Sequence, residues 1–115
     1  MNIENTKAQM RKGILEFCIL SLLADTHAYA SDIIEQLKSA ELIVVEGTLY
    51  PLLTRLKNAG MLHYHWEESS SGPPRKYYTL TQMGKASLLE LQETWGALSQ
   101  AVNQITQRIK NQHNE

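Results

Sequence analysis

The sequence predicts a mainly α fold with a small β component, the α+β class, on three observations. Apolar residues recur at helical spacing through the first half of the chain. The repeat shortens to two between Leu62 and Leu80, and a heptad stripe then runs from Leu88 to Ile109. At 115 residues there is room for one core, and a thin one, which leaves apolar surface for a partner subunit to cover.

Ile14–Ala24 is apolar almost all round, as in a helix buried from most sides. Asp25-Thr26-His27 signals a turn. Over Ala30–Ala40, Ala30, Ile33, Ile34 and Leu37 fall on one helical face, with Ser31, Asp32, Glu35 and Lys38 outward. Ile43-Val44-Val45 is a short extended run. Leu49, Leu52, Leu53 and Leu56 then stripe a third helix, which Asn58-Ala59-Gly60 closes. Pro51 belongs near the start of that helix, because deeper inside it removes a backbone bond and clashes with the turn before it.

Leu62, Tyr64 and Trp66 alternate with His63, His65 and Glu67, and Tyr78 and Leu80 alternate with Arg75, Tyr77 and Thr79. Two such runs around Glu67–Pro74 read as a β-hairpin with a long, flexible, turn-rich tip. Its alternation sends Tyr78 into the core with Leu80. Thr81 fits the N-cap of the last helix, where Leu88, Leu91, Trp95, Leu98, Val102, Ile105 and Ile109 are spaced alternately by three and four residues. A helix this long protrudes from a small domain, and its stripe needs another surface. An indole is wide for a coiled-coil seam and its N–H needs a partner when buried, and Gly96 beside Trp95 lowers helix propensity locally.

Composition excludes several classes. With 43% hydrophobic and 20% charged residues the chain is not disordered. The single cysteine, Cys18, can form no intramolecular disulfide and no cysteine-cluster zinc site, which favours a reducing compartment. The polar N-terminus lacks signal-peptide character, and the eleven-residue apolar run is far below the roughly 20 residues a membrane span needs. These features predict a soluble, cytoplasmic protein without membrane contact. His63 and His65 share a strand face but have no evident third ligand: Cys18 lies in a buried helix, and His27 and His113 lie in distant segments. No metal is expected. With no catalytic motif or cofactor fingerprint either, neither enzymatic activity nor a cofactor is expected.

Net charge is −1, unevenly spread: residues 1–46 carry four Lys/Arg against seven Asp/Glu, and residues 47–85 carry five against two. The middle third is locally basic. Three helices, a hairpin and a long helix, in that order, describe a winged helix-turn-helix with a two-stranded wing over residues 1–80 and a C-terminal dimerisation helix over 81–115. The third helix has a slim, polar outer face opposite its leucines: Gly47, Pro51, Thr54 and Asn58, with Thr48 and Arg55 on one side and Tyr50 and Lys57 on the other. Such a face can enter a DNA major groove, Thr and Asn meeting base edges and Arg meeting guanine or phosphate. Arg75 and Lys76, beside the hairpin tip, suit the adjacent phosphates or the minor groove, and Tyr50 either meets a phosphate or packs beside the wing. A winged-helix module that binds protein instead is the alternative.

Gly47-Thr48-Leu49-Tyr50-Pro51-Leu52-Leu53, Arg55-Leu56, Gly60-Met61-Leu62, Arg75-Lys76-Tyr77-Tyr78-Thr79-Leu80-Thr81 and Gly84 closely resemble the PadR family of bacterial transcriptional regulators, and Arg11-Lys12-Gly13 also fits. The likeness runs from about Met10 to Ile109. Ala28-Tyr29 stands where a Gly-Tyr pair is common, and Lys57 where an acidic residue is frequent. The resemblance implies a homodimeric repressor on double-stranded DNA, released from an inverted-repeat operator by a small effector. The single terminal helix is similar to that of the small subfamily, which dimerises through it. In multidrug-sensing members a tryptophan of that helix lines a central pore where planar aromatic molecules stack, and Trp95 falls on that position.

Overall fold

The computed structural model describes residues 1–42 and 44–113. The order of elements is α1 (Ile3–Leu22), β1 (Ala28–Tyr29), α2 (Ala30–Ser39), α3 (Glu46–Asn58), β2 (Leu62–Ser69), β3 (Gly72–Leu80) and α4 (Gln82–His113). The fold is thus mostly helical with a small antiparallel sheet, as the sequence predicts. Among the described residues no helix is long and apolar enough to cross a membrane.

One core holds the first three helices and the base of the hairpin together. Leu15, Ile19, Leu20 and Leu23 face Ala30, Ile33 and Leu37 and the α3 leucines Leu49, Leu52, Leu53 and Leu56, closed below by Leu62, Tyr78 and Leu80. The helix α1 starts well before the apolar run, at an N-cap where Asn2 Oδ1 accepts the Asn5 amide at 3.2 Å. It is buried over less of its surface than its composition suggests: Ile14, Phe17, Cys18 and Leu22 are only half-covered. Burial raises the Cys18 thiol pKa, which disfavours the thiolate. Of the extended run read at Ile43–Val45, Ile43 lies outside the described residues, Val44 is buried, and Val45 is the extended residue before α3.

Pro51 sits in the second turn of α3, deeper than the first turn where its missing N–H is harmless. The end of α3 follows the sequence closely. Gly60 has φ 81°, the Met61 amide bonds the Leu56 carbonyl at 2.9 Å, and the Gly60 amide bonds that of Lys57 at 3.0 Å. This is a Schellman cap, in which a left-handed residue lets two orphan carbonyls be paired.

The sheet order is β1-β3-β2. Two findings differ from the sequence reading. The hairpin gains a third strand, Ala28 and Tyr29 pairing with Tyr78 and Tyr77; two residues are too few to show a period of two. The tip is also short, since β2 runs to Ser69 and β3 begins at Gly72. Pro73 and Pro74 continue the strand because Glu67 pairs with Arg75 and Ser69 with Gly72, so both prolines oppose the single residue Glu68. Such a bulge tolerates residues that cannot donate to the ladder.

Candidate nucleic-acid interface

The four leucines of α3 point inward, so its opposite face is fixed by helical geometry. Gly47, Thr48, Tyr50, Pro51, Thr54, Arg55 and Asn58 are all exposed. The flanks are held by neighbouring elements. On the α1 side, Arg55 Nη1 lies 3.1 Å from Glu16 Oε1, with Glu16 the more buried partner. The rest of the Arg55 fork stays open to solvent. On the other side, Tyr50 borders a groove of about 420 Å³ between α3 and the wing, lined also by Ser31, Glu46, Trp66, Pro74, Arg75 and Lys76.

Arg75 and Lys76 lie part-way along β3 rather than at its tip. The Arg75 guanidinium stacks 3.7 Å from the centroid of the Tyr29 ring and donates to Ser31 Oγ at the start of α2. Tyr29 Oη donates to Glu67 Oε2 at 2.8 Å. That bond, more than any other influence, raises the phenol pKa above the usual tyrosine range, because ionising Tyr29 would break it and set two anions together. The wing is thereby clamped to α2, with one face of Arg75 committed to the clamp. Lys76 Nζ stands 4.4 Å from the centroid of the Tyr64 ring.

Sequence reasoning missed Ser31, Tyr64 and Trp66 at this surface. For the two aromatics the signal lay in the register: Tyr64 pairs with Tyr78 and Trp66 with Lys76, on the face that carries Leu62 and Leu80 into the core. Followed outward past the last helix side chain, that face opens beside α3. The opposite face gathers an aromatic cluster. His27 and Tyr29 pack on Tyr77 with ring centroids 4.2 and 4.3 Å away, and His27 lies 6.4 Å from His65. His27 is thus distant in sequence but not in space. His63 points instead to Thr79, its Nε2 3.0 Å from Oγ1. Among the described residues no three His, Cys, Asp or Glu side chains converge on a metal position.

The heptad stripe splits at its first member. Leu88 packs against the chain's own core, whereas Leu91, Trp95, Leu98, Val102, Ile105 and Ile109 are exposed, from 38% at Leu91 to 65% at Ile105. Trp95 lies against α1, its ring centroid 6.5 Å from that of Phe17.

A three-helix core, a clamped hairpin and an open polar face on the third helix define a winged helix-turn-helix protein. The chain matches the PadR-like transcriptional regulator family over residues 19–90 and belongs to that family. It is similar to a PadR-like transcription factor from Bacteroides fragilis, with 62% identity, 88% of this chain and 98% of that one covered, and a TM-score of 0.76. A PadR family regulator from Eggerthella lenta shares 31% identity over 90% of both chains, with a TM-score of 0.79. Bacillus subtilis PadR, solved in complex with operator DNA, shares 26% identity over 69% of this chain and 46% of that one, with a TM-score of 0.64.

Proposed function

We propose that this regulator is a cytoplasmic homodimeric repressor that grips an inverted-repeat operator through two copies of α3 and their wings, and is released by a small planar aromatic effector. Residues 1–80 serve as the DNA-binding unit and 81–115 as the dimerisation helix. The observation that carries the reading is the open face of α3, small and polar along its centre and flanked by Arg55 and Lys57. The operator complex of Bacillus subtilis PadR supports it. Thr48, Thr54 and Asn58 meet base edges beside Pro51, Arg55 meets a base or phosphate, and Tyr50, Arg75 and Lys76 meet phosphates. Half-sites lie about one helical turn, near 34 Å, apart.

A gel-shift titration with the duplex upstream of the gene tests this reading. Binding is expected to weaken steeply with salt as counterions are released. Arg55→Ala is expected to cost about 1–3 kcal/mol, or to lower the salt slope if the guanidinium meets a phosphate. A protein-binding module gives no salt-dependent shift. The same variant frees Glu16, so an unchanged shift rules out both roles for Arg55.

For the effector, Trp95 is the contact. A ligand seated between two such indoles binds one spacing of the α4 helices better than another, and so biases the distance between the recognition helices. A planar cationic aromatic dye is expected to quench the protein's tryptophan emission, and Trp95→Ala to abolish that quenching. Quenching that persists in the variant assigns it to Trp66 and overturns the effector site.

A further inference from the structure

Two ammonium groups from different elements share one aromatic ring. Lys57 Nζ, at the end of α3, stands 5.4 Å from the centroid of the Tyr64 ring, and Lys76 Nζ, on β3, stands 4.4 Å from it. Those two distances keep the nitrogens within about 10 Å of each other. Lys76 Nζ also lies 5.5 Å from the Trp66 ring, which meets Tyr64 edge-on at 6.2 Å and 88°. Among the described residues the ion pairs are Lys7–Glu4 and Arg55–Glu16, so neither lysine is neutralised by a carboxylate within 4.0 Å. Trp66 itself is 61% exposed.

Unneutralised like charges held together on ring faces form a site that lacks its anion. The rings restrain two otherwise floppy side chains, which lowers the entropy lost when they close on a ligand. The cluster sits on the wing flank of α3, next to Tyr50 and the groove it borders. A phosphate there is one of a series along the strand that bounds the groove α3 enters.

We infer that Lys57, Lys76, Tyr64 and Trp66 form a clamp for the DNA phosphodiester backbone, bridging recognition helix and wing. The lysines take phosphates, and the indole lies against the adjoining deoxyribose. The inference rests on the reading of the chain as a DNA binder and adds residues to that surface.

The test uses the full chain, a labelled duplex from upstream of the gene and a mixed-sequence duplex, with affinities measured by fluorescence anisotropy over a salt series. Lys57→Gln and Lys76→Gln are each expected to lower the slope of log affinity on log salt by about one. Both duplexes are weakened by a similar factor, because phosphates carry no sequence. Trp66→Ala is expected to weaken both duplexes, while Trp66→Phe, which keeps a ring beside Lys76, restores most of the binding. Thermal melting of each variant checks that the fold survives. Unchanged slopes in both lysine variants, with salt-dependent binding by the unaltered protein, overturn the clamp and the phosphate contact of Lys76, and leave the rest of the proposed function standing. Loss confined to the upstream duplex at unchanged slope also overturns it, since the lysines then read bases. An unaltered protein that binds neither duplex overturns both readings.

Discussion

Alanine at Gly84 is expected to destabilise the fold by about 2–4 kcal/mol, although alanine in a helix ordinarily gains roughly 1 kcal/mol over glycine. The reason is a backbone approach. A Cβ on Gly84 overlaps the Met61 carbonyl oxygen, and stands 3.1 Å from its carbon and 3.4 Å from Leu80 Cδ2. The oxygen cannot retreat cheaply, because it accepts the Thr81 amide at 3.1 Å and the Thr81 hydroxyl at 3.2 Å. The same hydroxyl bonds the Gly60 carbonyl at 2.6 Å and accepts the Gly84 amide at 2.9 Å. One residue thus caps α4 and ties its first turn to the end of α3. Relieving the clash moves the helix and breaks those bonds together. Urea denaturation is the check: the midpoint falls and the slope with denaturant stays constant. A rise in midpoint, the ordinary helix-propensity result, shows that α4 does not make this approach.

That junction was partly legible in the sequence. Thr81 read as an N-cap and Gly60 as a C-terminal signal because both act locally, through a hydroxyl three residues from an orphan amide and a glycine at a left-handed position. The leucine stripe of α3 was legible for the same reason, since period alone tells which side is buried. What sequence could not supply were contacts between segments far apart in the chain. The clamp of Arg75 on Tyr29 and Ser31, the Arg55–Glu16 pair and the arrival of His27 beside His65 all depend on β1 closing onto β3 or on α1 crossing α3. The short tip was misread because Gly-Pro-Pro signals a turn locally, whereas the bulge that accommodates both prolines is a property of the paired strands.

Aspartate at Leu98 is expected to turn the proposed dimer into a monomer, and the geometry of α4 says why one substitution suffices. Its 32 residues make a rod of about 48 Å, and the molecule extends 62 × 28 × 23 Å with a radius of gyration of 17.2 Å. A compact chain of similar length has roughly 13 Å. Past Trp95, which still touches Phe17 of α1, the stripe from Leu98 outward meets solvent on its apolar side, so that length of helix is held by a second surface or by nothing. In a two-fold pair each stripe packs on its own copy, and a substitution enters the interface twice. A buried, unpaired carboxylate costs about 3–5 kcal/mol, and two copies exceed what a seam of six residues can absorb. Val102→Asp is expected to do the same. Leu89→Asp is the control, because Leu89 is 66% exposed but lies one residue off the stripe. Sedimentation equilibrium is expected to return dimer for the unaltered protein and Leu89→Asp, and monomer for the two stripe variants. Those monomers lose the second half-site, so operator affinity falls while the weak contacts of a single recognition helix remain. A stripe variant that stays dimeric moves the interface off α4, and with it the proposed spacing of the two α3 helices.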